Sequence, residues 1–193
     1  MDTQPPRGGL LTHDVVVMQQ ITSFLANDFD ILDTDGAVIG RFSGQDSVGK
    51  RFFTGPREFT LFDSDGTPLL DVHDVPNFGF DTFELTAPGG APVATVKKKL
   101  SFIRRVIDVT AGDGTRLELR GGFWDFNYEI LGGGSPVAQV SRQWAGMAHG
   151  FFGRSRYAVS LSPALGPHHR LMILGTVVAL DLIRMKDERN SSS

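Results

Sequence analysis

The stretch Pro167-His168-His169-Arg170-Leu171-Met172-Ile173-Leu174-Gly175-Thr176-Val177-Val178-Ala179-Leu180-Asp181-Leu182-Ile183-Arg184 decides the fold. From Leu171 to Ile183 only Thr176 and Asp181 are frankly polar. A helix apolar on every side is buried on every side. At ~1.5 Å per residue the run covers roughly 20 Å, short of the ~30 Å hydrocarbon core of a bilayer. What buries it therefore has to be protein. Pro163 and Pro167 bracket its entry. Asp181 is its one ionisable interior group, so a partner or a place at the mouth of the fold is expected.

Everything upstream reads as strands. His13 to Gln20 is the first, and Tyr157 to Leu161 the last. Between them lie five strand–turn–strand units, with turn tetrads Asp33-Thr34-Asp35-Gly36, Asp63-Ser64-Asp65-Gly66, Ala87-Pro88-Gly89-Gly90, Ala111-Gly112-Asp113-Gly114 and Leu131-Gly132-Gly133-Gly134. Glycine in each supplies the positive φ of a tight hairpin, and flanking residues alternate apolar and polar. The total is twelve strands. An antiparallel sheet of that size closes into a barrel, which removes its edges, and the helix fills it. The fold class is mainly β: a closed, roughly twelve-stranded barrel around a hydrophobic C-terminal helix. The expected organisation is a flexible arm over 1–12, one barrel domain over 13–186 with its central helix at 168–186, and a disordered tail over 187–193.

Composition bounds the chemistry. The chain has 193 residues, 40% apolar and 21% charged, and no cysteine. That excludes disulfides, thiol catalysis and Cys-ligated zinc or iron–sulfur sites. With no secretory pattern, the expected compartment is the cytoplasm. Net charge is −3 but unevenly placed: residues 1–96 carry 5 Lys/Arg against 14 Asp/Glu, and residues 97–170 carry 11 against 5. Both signs suit solvated strand faces; a basic face would also attract anionic partners.

Several local patterns compete with hairpin explanations. Gly44-Gln45-Asp46-Ser47-Val48-Gly49-Lys50 matches most of a phosphate-binding loop, but Arg51 replaces the Ser or Thr and no helix pattern follows. The two Asp-x-Asp-Gly tetrads resemble the start of calcium loops, yet their twelfth positions are Gly44 and Asp74 rather than Glu. Asp71, His73 and Asp74 are too few to define a metal site. His168-His169 reads as a solvated helix start. No nucleophile motif stands out, so no enzyme, no cofactor and no metal is expected.

The strongest charge run is Lys97-Lys98-Lys99 with Arg104-Arg105. On a strand Lys97 and Lys99 share one face and Lys98 takes the other. Lysines protect strands from edge pairing, and they also hold phosphates. Arg142 is a candidate to join them. Phe52-Phe53 and Phe151-Phe152 lie beside Lys50-Arg51 and Arg154-Arg156, a pairing that suits either barrel packing or a membrane interface. Nucleic acid is disfavoured, since stacking aromatics on a basic strand are missing.

Asn127-Tyr128-Glu129-Ile130, Val137-Ala138-Gln139-Val140-Ser141-Arg142-Gln143-Trp144-Ala145-Gly146 and Leu174 to Ile183 together resemble the C-terminal part of phospholipid scramblases and LURP-one-related proteins. Phe83-Glu84-Leu85 with Pro88-Gly89-Gly90-Ala91-Pro92-Val93-Ala94, and Phe59-Thr60-Leu61-Phe62-Asp63, are similar to the same pattern, so the resemblance spans roughly 14–185. It implies the tubby C-terminal-like fold and a link to phospholipids. With that link the expected function is anionic headgroup binding at a membrane surface, for which the charge pattern selects Lys97, Lys99, Arg104, Arg105 and Arg142, and the alternative is lipid scrambling or transfer. A structural or protein-interaction barrel is the remaining reading. Residues 148–157 carry no carboxylate where scramblases have an acidic, proposed calcium-binding segment, and the palmitoylated cysteines are absent. Calcium control and lipid anchoring are therefore not implied.

Overall fold

The computed structural model describes residues 9–20, 29–44, 58–75, 81–100, 105–142 and 156–191. Twelve strands and one long helix follow a 3-10 turn at Leu10–Thr12. The strands are β1 Val15–Gln20, β2 Phe29–Leu32, β3 Val38–Gly44, β4 Glu58–Asp63, β5 Pro68–Val75, β6 Thr82–Thr86, β7 Pro92–Leu100, β8 Arg105–Ala111, β9 Arg116–Gly122, β10 Asn127–Gly132, β11 Ser135–Ser141 and β12 Arg156–Leu161. The helix is α1, Pro167–Ser191. Every strand pairs antiparallel with its sequence neighbour, and β1 pairs with β12 to close the barrel. The expected fold class is the observed one.

The turn chemistry sets the hairpins. Asp33 Oδ1 accepts the amides of Asp35 and Ala37 at 2.9 and 2.8 Å. Asp63 Oδ1 accepts those of Ser64 and Leu10 at 2.7 and 3.0 Å. The tetrad carboxylates thus hold their own turns, which is why aspartate recurs there. The Gly133-Gly134 turn differs: both residues have positive φ, 58° and 81°, the two-residue geometry that matches strand twist.

The helix runs through the middle. Met172 to Leu174 and Val177 to Ile183 are buried all round. Gly175 allows the closest approach to the wall: a Cβ there would lie 2.3 Å from Leu70 Cδ2 and 2.5 Å from Leu85 Cδ2. The helix enters beside the 111–115 and 132–135 turns, where His168 and His169 are exposed. Arg170 is buried there, donating to the carbonyls of His13 and Leu165 at 2.8 and 3.0 Å and pairing with Asp14. Near the opposite, exit rim the interior is aromatic. Phe29, Phe42, Phe59, Phe83, Tyr128 and Tyr157 project inward from six strands and fill the space around the helix.

Two expected boundaries shift. Leu10 is fully buried within the supposed arm, packed on the barrel end over Gly40. The helix passes residue 186 and continues to Ser191, because Asp187 pairs with Lys98 and Glu188 with Arg184. The ladder is thinnest between β8 and β9, where only Val109↔Leu117 and Thr110↔Arg116 pair.

Candidate functional site

Period-two alternation splits the lysine run. Ala94, Val96 and Lys98 face inward; Lys97 is exposed. Lys98 Nζ pairs with Asp187 on the helix and lies 3.5 Å from Asp81. Lys186 Nζ reaches Asp74 at 2.7 Å and Asp81 at 3.1 Å, and sits 5.0 Å from the Phe83 ring centroid. These charges tie the end of α1 to the rim of β5–β7. Each is committed to a partner, so the cluster fastens the helix. Asp74, Asp81, Lys186 and Asp187 carry little signal in sequence, since nothing local says which charges will meet.

A second fastening lies by β10–β12. Asp181 is buried, and Arg184 Nε lies 3.3 Å from its Oδ1. Burial raises the Asp181 carboxyl to about 6 against the pull of Arg184 and Arg142, while Glu188 adds a smaller upward push. The Phe126 ring lies 4.0 Å from the Arg184 guanidinium, 4.5 Å from that of Arg142, and stacks on Tyr157 at 4.4 Å. Phe126 has φ of 51°, a conformation that side chains rarely adopt. Its two guanidinium neighbours and the stacked ring hold it there. Burial first, and the Asp181 charge second, push the Tyr157 and Tyr128 hydroxyls up, so both stay neutral.

Of the residues chosen from sequence, Lys97, Lys99 and Arg105 come together on the β7–β8 hairpin at the exit rim. The register there is Lys97↔Asp108, Lys99↔Val106 and Leu100↔Arg105. For Lys99 and Arg105 only the backbone is described. Arg142 does not join this hairpin. It follows β11, four strands round the barrel from β7, and stacks on Phe126. Arg104, Phe52, Phe53, Phe151 and Phe152 lie outside the described residues, as do 45–50 of the phosphate-loop match. The described residues that flank these segments, Gly44, Glu58, Leu100, Arg105, Arg142 and Arg156, all stand at the exit rim.

The other local patterns are dispersed into the scaffold. Asp71 accepts the Thr60 hydroxyl at 2.7 Å, His73 Nε2 lies 3.2 Å from Thr86 Oγ1, and Asp74 holds Lys186. No helix among the described residues is long and apolar enough to cross a membrane.

A family model described as LURP-one-related matches residues 13–181. The crystal structure of a protein from Arabidopsis thaliana superposes with a TM-score of 0.56 at 17% identity, covering 91% of this chain and 99% of that one. At that identity the likeness speaks for the fold. No curated protein matches the chain. The family match takes in all twelve strands and the helix as far as Asp181, and the chain belongs to the LURP-one-related family.

Proposed function

We propose that this barrel is a non-enzymatic module that binds anionic phospholipid headgroups at a membrane surface through its β7–β8 hairpin. The supporting observation is Lys97, exposed on the outer face of that hairpin, with Lys99 and Arg105 brought to the same rim by the register. Between Lys97 and Asp108 the chain carries five basic residues and one acidic. Lys98 is paired inside the rim and Lys97 is exposed on the outer face, while Lys99, Arg104 and Arg105 complete the basic run in the sequence. A cluster of this kind attracts anionic lipid with ~1 kcal/mol for each Lys or Arg near the surface. The phenylalanines at 52–53 and 151–152, each beside basic residues in the sequence, would add apolar contact with the interface.

Liposome flotation tests the reading. Vesicles of phosphatidylcholine alone should leave the protein behind. Adding phosphatidylserine or a phosphoinositide should carry it up, and raised salt should release it. Calcium should make no difference. Flotation that needs calcium would shift the reading toward scrambling. That alternative requires α1 to leave the barrel, against ion pairs on two sides and burial along its whole middle.

A further inference from the structure

The β9–β10 turn, residues 123–126, stands at the exit rim, one hairpin along from β7–β8. It holds three aromatic residues, and they part company. Phe126 is buried, and Phe123 is half-buried against Tyr128, ring centroids 5.9 Å apart. Trp124 stays 38% exposed, in a T-shaped contact with Phe123 at 4.8 Å. Among the described residues it is the one exposed large hydrophobic side chain at this rim; Val38, the other on the molecule, opens β3 at the opposite end. The backbone turns sharply on both sides of it. Gly121 has φ of 116°, and a Cβ there would lie 2.7 Å from the Asn127 carbonyl oxygen. Phe126 has φ of 51°. Rare backbone conformations of this kind persist only where the surroundings enforce them, and they gather where a chain binds something.

We propose that Trp124 is an apolar anchor that enters the bilayer interface while the β7–β8 hairpin holds anionic headgroups. The inference rests on the headgroup reading and adds to it a contact below the phosphate layer. Trp124 lines one cavity with Asp108, the residue that faces Lys97 across the hairpin, so the ring and the exposed lysine share one side of the barrel. An indole has an apolar body and a single N–H donor, and it settles where hydrocarbon meets headgroup. Asp125, the one charge in the turn, folds its Oδ2 back over Gly122, 3.5 Å from where a Cβ would stand. A protein partner fits less well. Aromatic anchors of protein interfaces sit within a ring of close contacts that excludes water. Here the exposed residues of the neighbouring strand are Arg116, Glu118 and Arg120.

The test uses the full chain. Trp144→Phe leaves Trp124 as the one tryptophan. On phosphatidylserine-containing vesicles its emission should shift to the blue, and lipids brominated near the top of the acyl chain should quench it. Separately, in the chain with both tryptophans, Trp124→Ala should float about tenfold more weakly than wild type. It removes no charge, so the salt dependence of binding should stay. Trp124→Phe keeps a ring against Phe123 and should float between the two. If the wild type floats and Trp124→Ala floats equally, or the brominated lipids leave the emission unchanged, the anchor is overturned and the headgroup reading stands. If Lys97→Ala/Lys99→Ala/Arg105→Ala floats like the wild type while Trp124→Ala does not, the basic hairpin is overturned and the anchor stands. A wild-type chain that floats on no vesicle overturns both.

Discussion

Arg184 Nε lies 3.3 Å from the Asp181 carboxylate inside the barrel, one helical turn along α1. Burial makes Asp181 hold its proton up to about 6, against 3.8 for an ordinary aspartate. Between those values the folded chain binds a proton that the unfolded chain has released. This contribution to stability is complete below the lower value and is lost as pH rises through the higher one. Asn at this position has no proton to lose. Relative to wild type, Asp181→Asn should therefore gain about 2 kcal/mol between about pH 4.5 and about pH 7.5. Urea unfolding of both proteins at the two pH values measures it. A pH-independent difference would show that Asp181 titrates like an exposed carboxylate.

Adjacent lysines should behave oppositely. Lys98→Met removes the cation paired with Asp187 and one of the two beside Asp81, and should cost about 3 kcal/mol of stability. Lys97→Met alters an exposed side chain and should stay within about 0.5 kcal/mol of wild type. On anionic vesicles the order reverses: Lys97 should matter for binding. Thermal melts and flotation on the two variants separate the roles.

Gly175 should resist replacement although a helix interior favours almost any other residue. Alanine gains up to about 1 kcal/mol in propensity, but its Cβ would press on Leu70 and Leu85, both fully buried. Valine adds further volume at the same point. Gly175→Val should lower stability by about 1–3 kcal/mol, and Gly175→Ala should show no net gain. Denaturant midpoints decide it.

Thr176 offers the converse. Its side chain is fully buried, and its hydroxyl has no hydrogen-bond partner. Thr176→Val keeps the shape and removes an unsatisfied group, so it should stabilise by about 1 kcal/mol. A loss of stability would mean that the hydroxyl has a partner, such as a buried water.

The barrel and its helix are legible from sequence because each rests on a local signal. Period-two alternation marks the strands, Asp-x-Asp-Gly and Gly-Gly tetrads mark the turns, and residues 171–183 lack a polar face. The ends were less legible. Leu10 gives no pattern by itself, and its burial depends on Gly40 and Asp63 far along the chain. On hydropathy the helix stops near Lys186, yet Asp187 is held by Lys98, 89 positions away. Alternation alone puts Lys98 on the opposite face from Lys97, but only the closed barrel shows that its side is the inner one. Charge groups Arg142 with the lysines; the barrel order separates it and the Phe126 ring takes it. The short β8–β9 ladder has no sequence mark, because Ile107 and Leu119 look like any other strand residues.

The most direct measurement is flotation of the wild-type chain and of Lys97→Ala/Lys99→Ala/Arg105→Ala on phosphatidylserine-containing vesicles at low salt. With ~1 kcal/mol for each charge removed, the triple variant should bind on the order of 100-fold more weakly and melt at the wild-type temperature. Equal flotation of the two proteins, or no flotation of the wild type, would contradict headgroup binding by the β7–β8 hairpin.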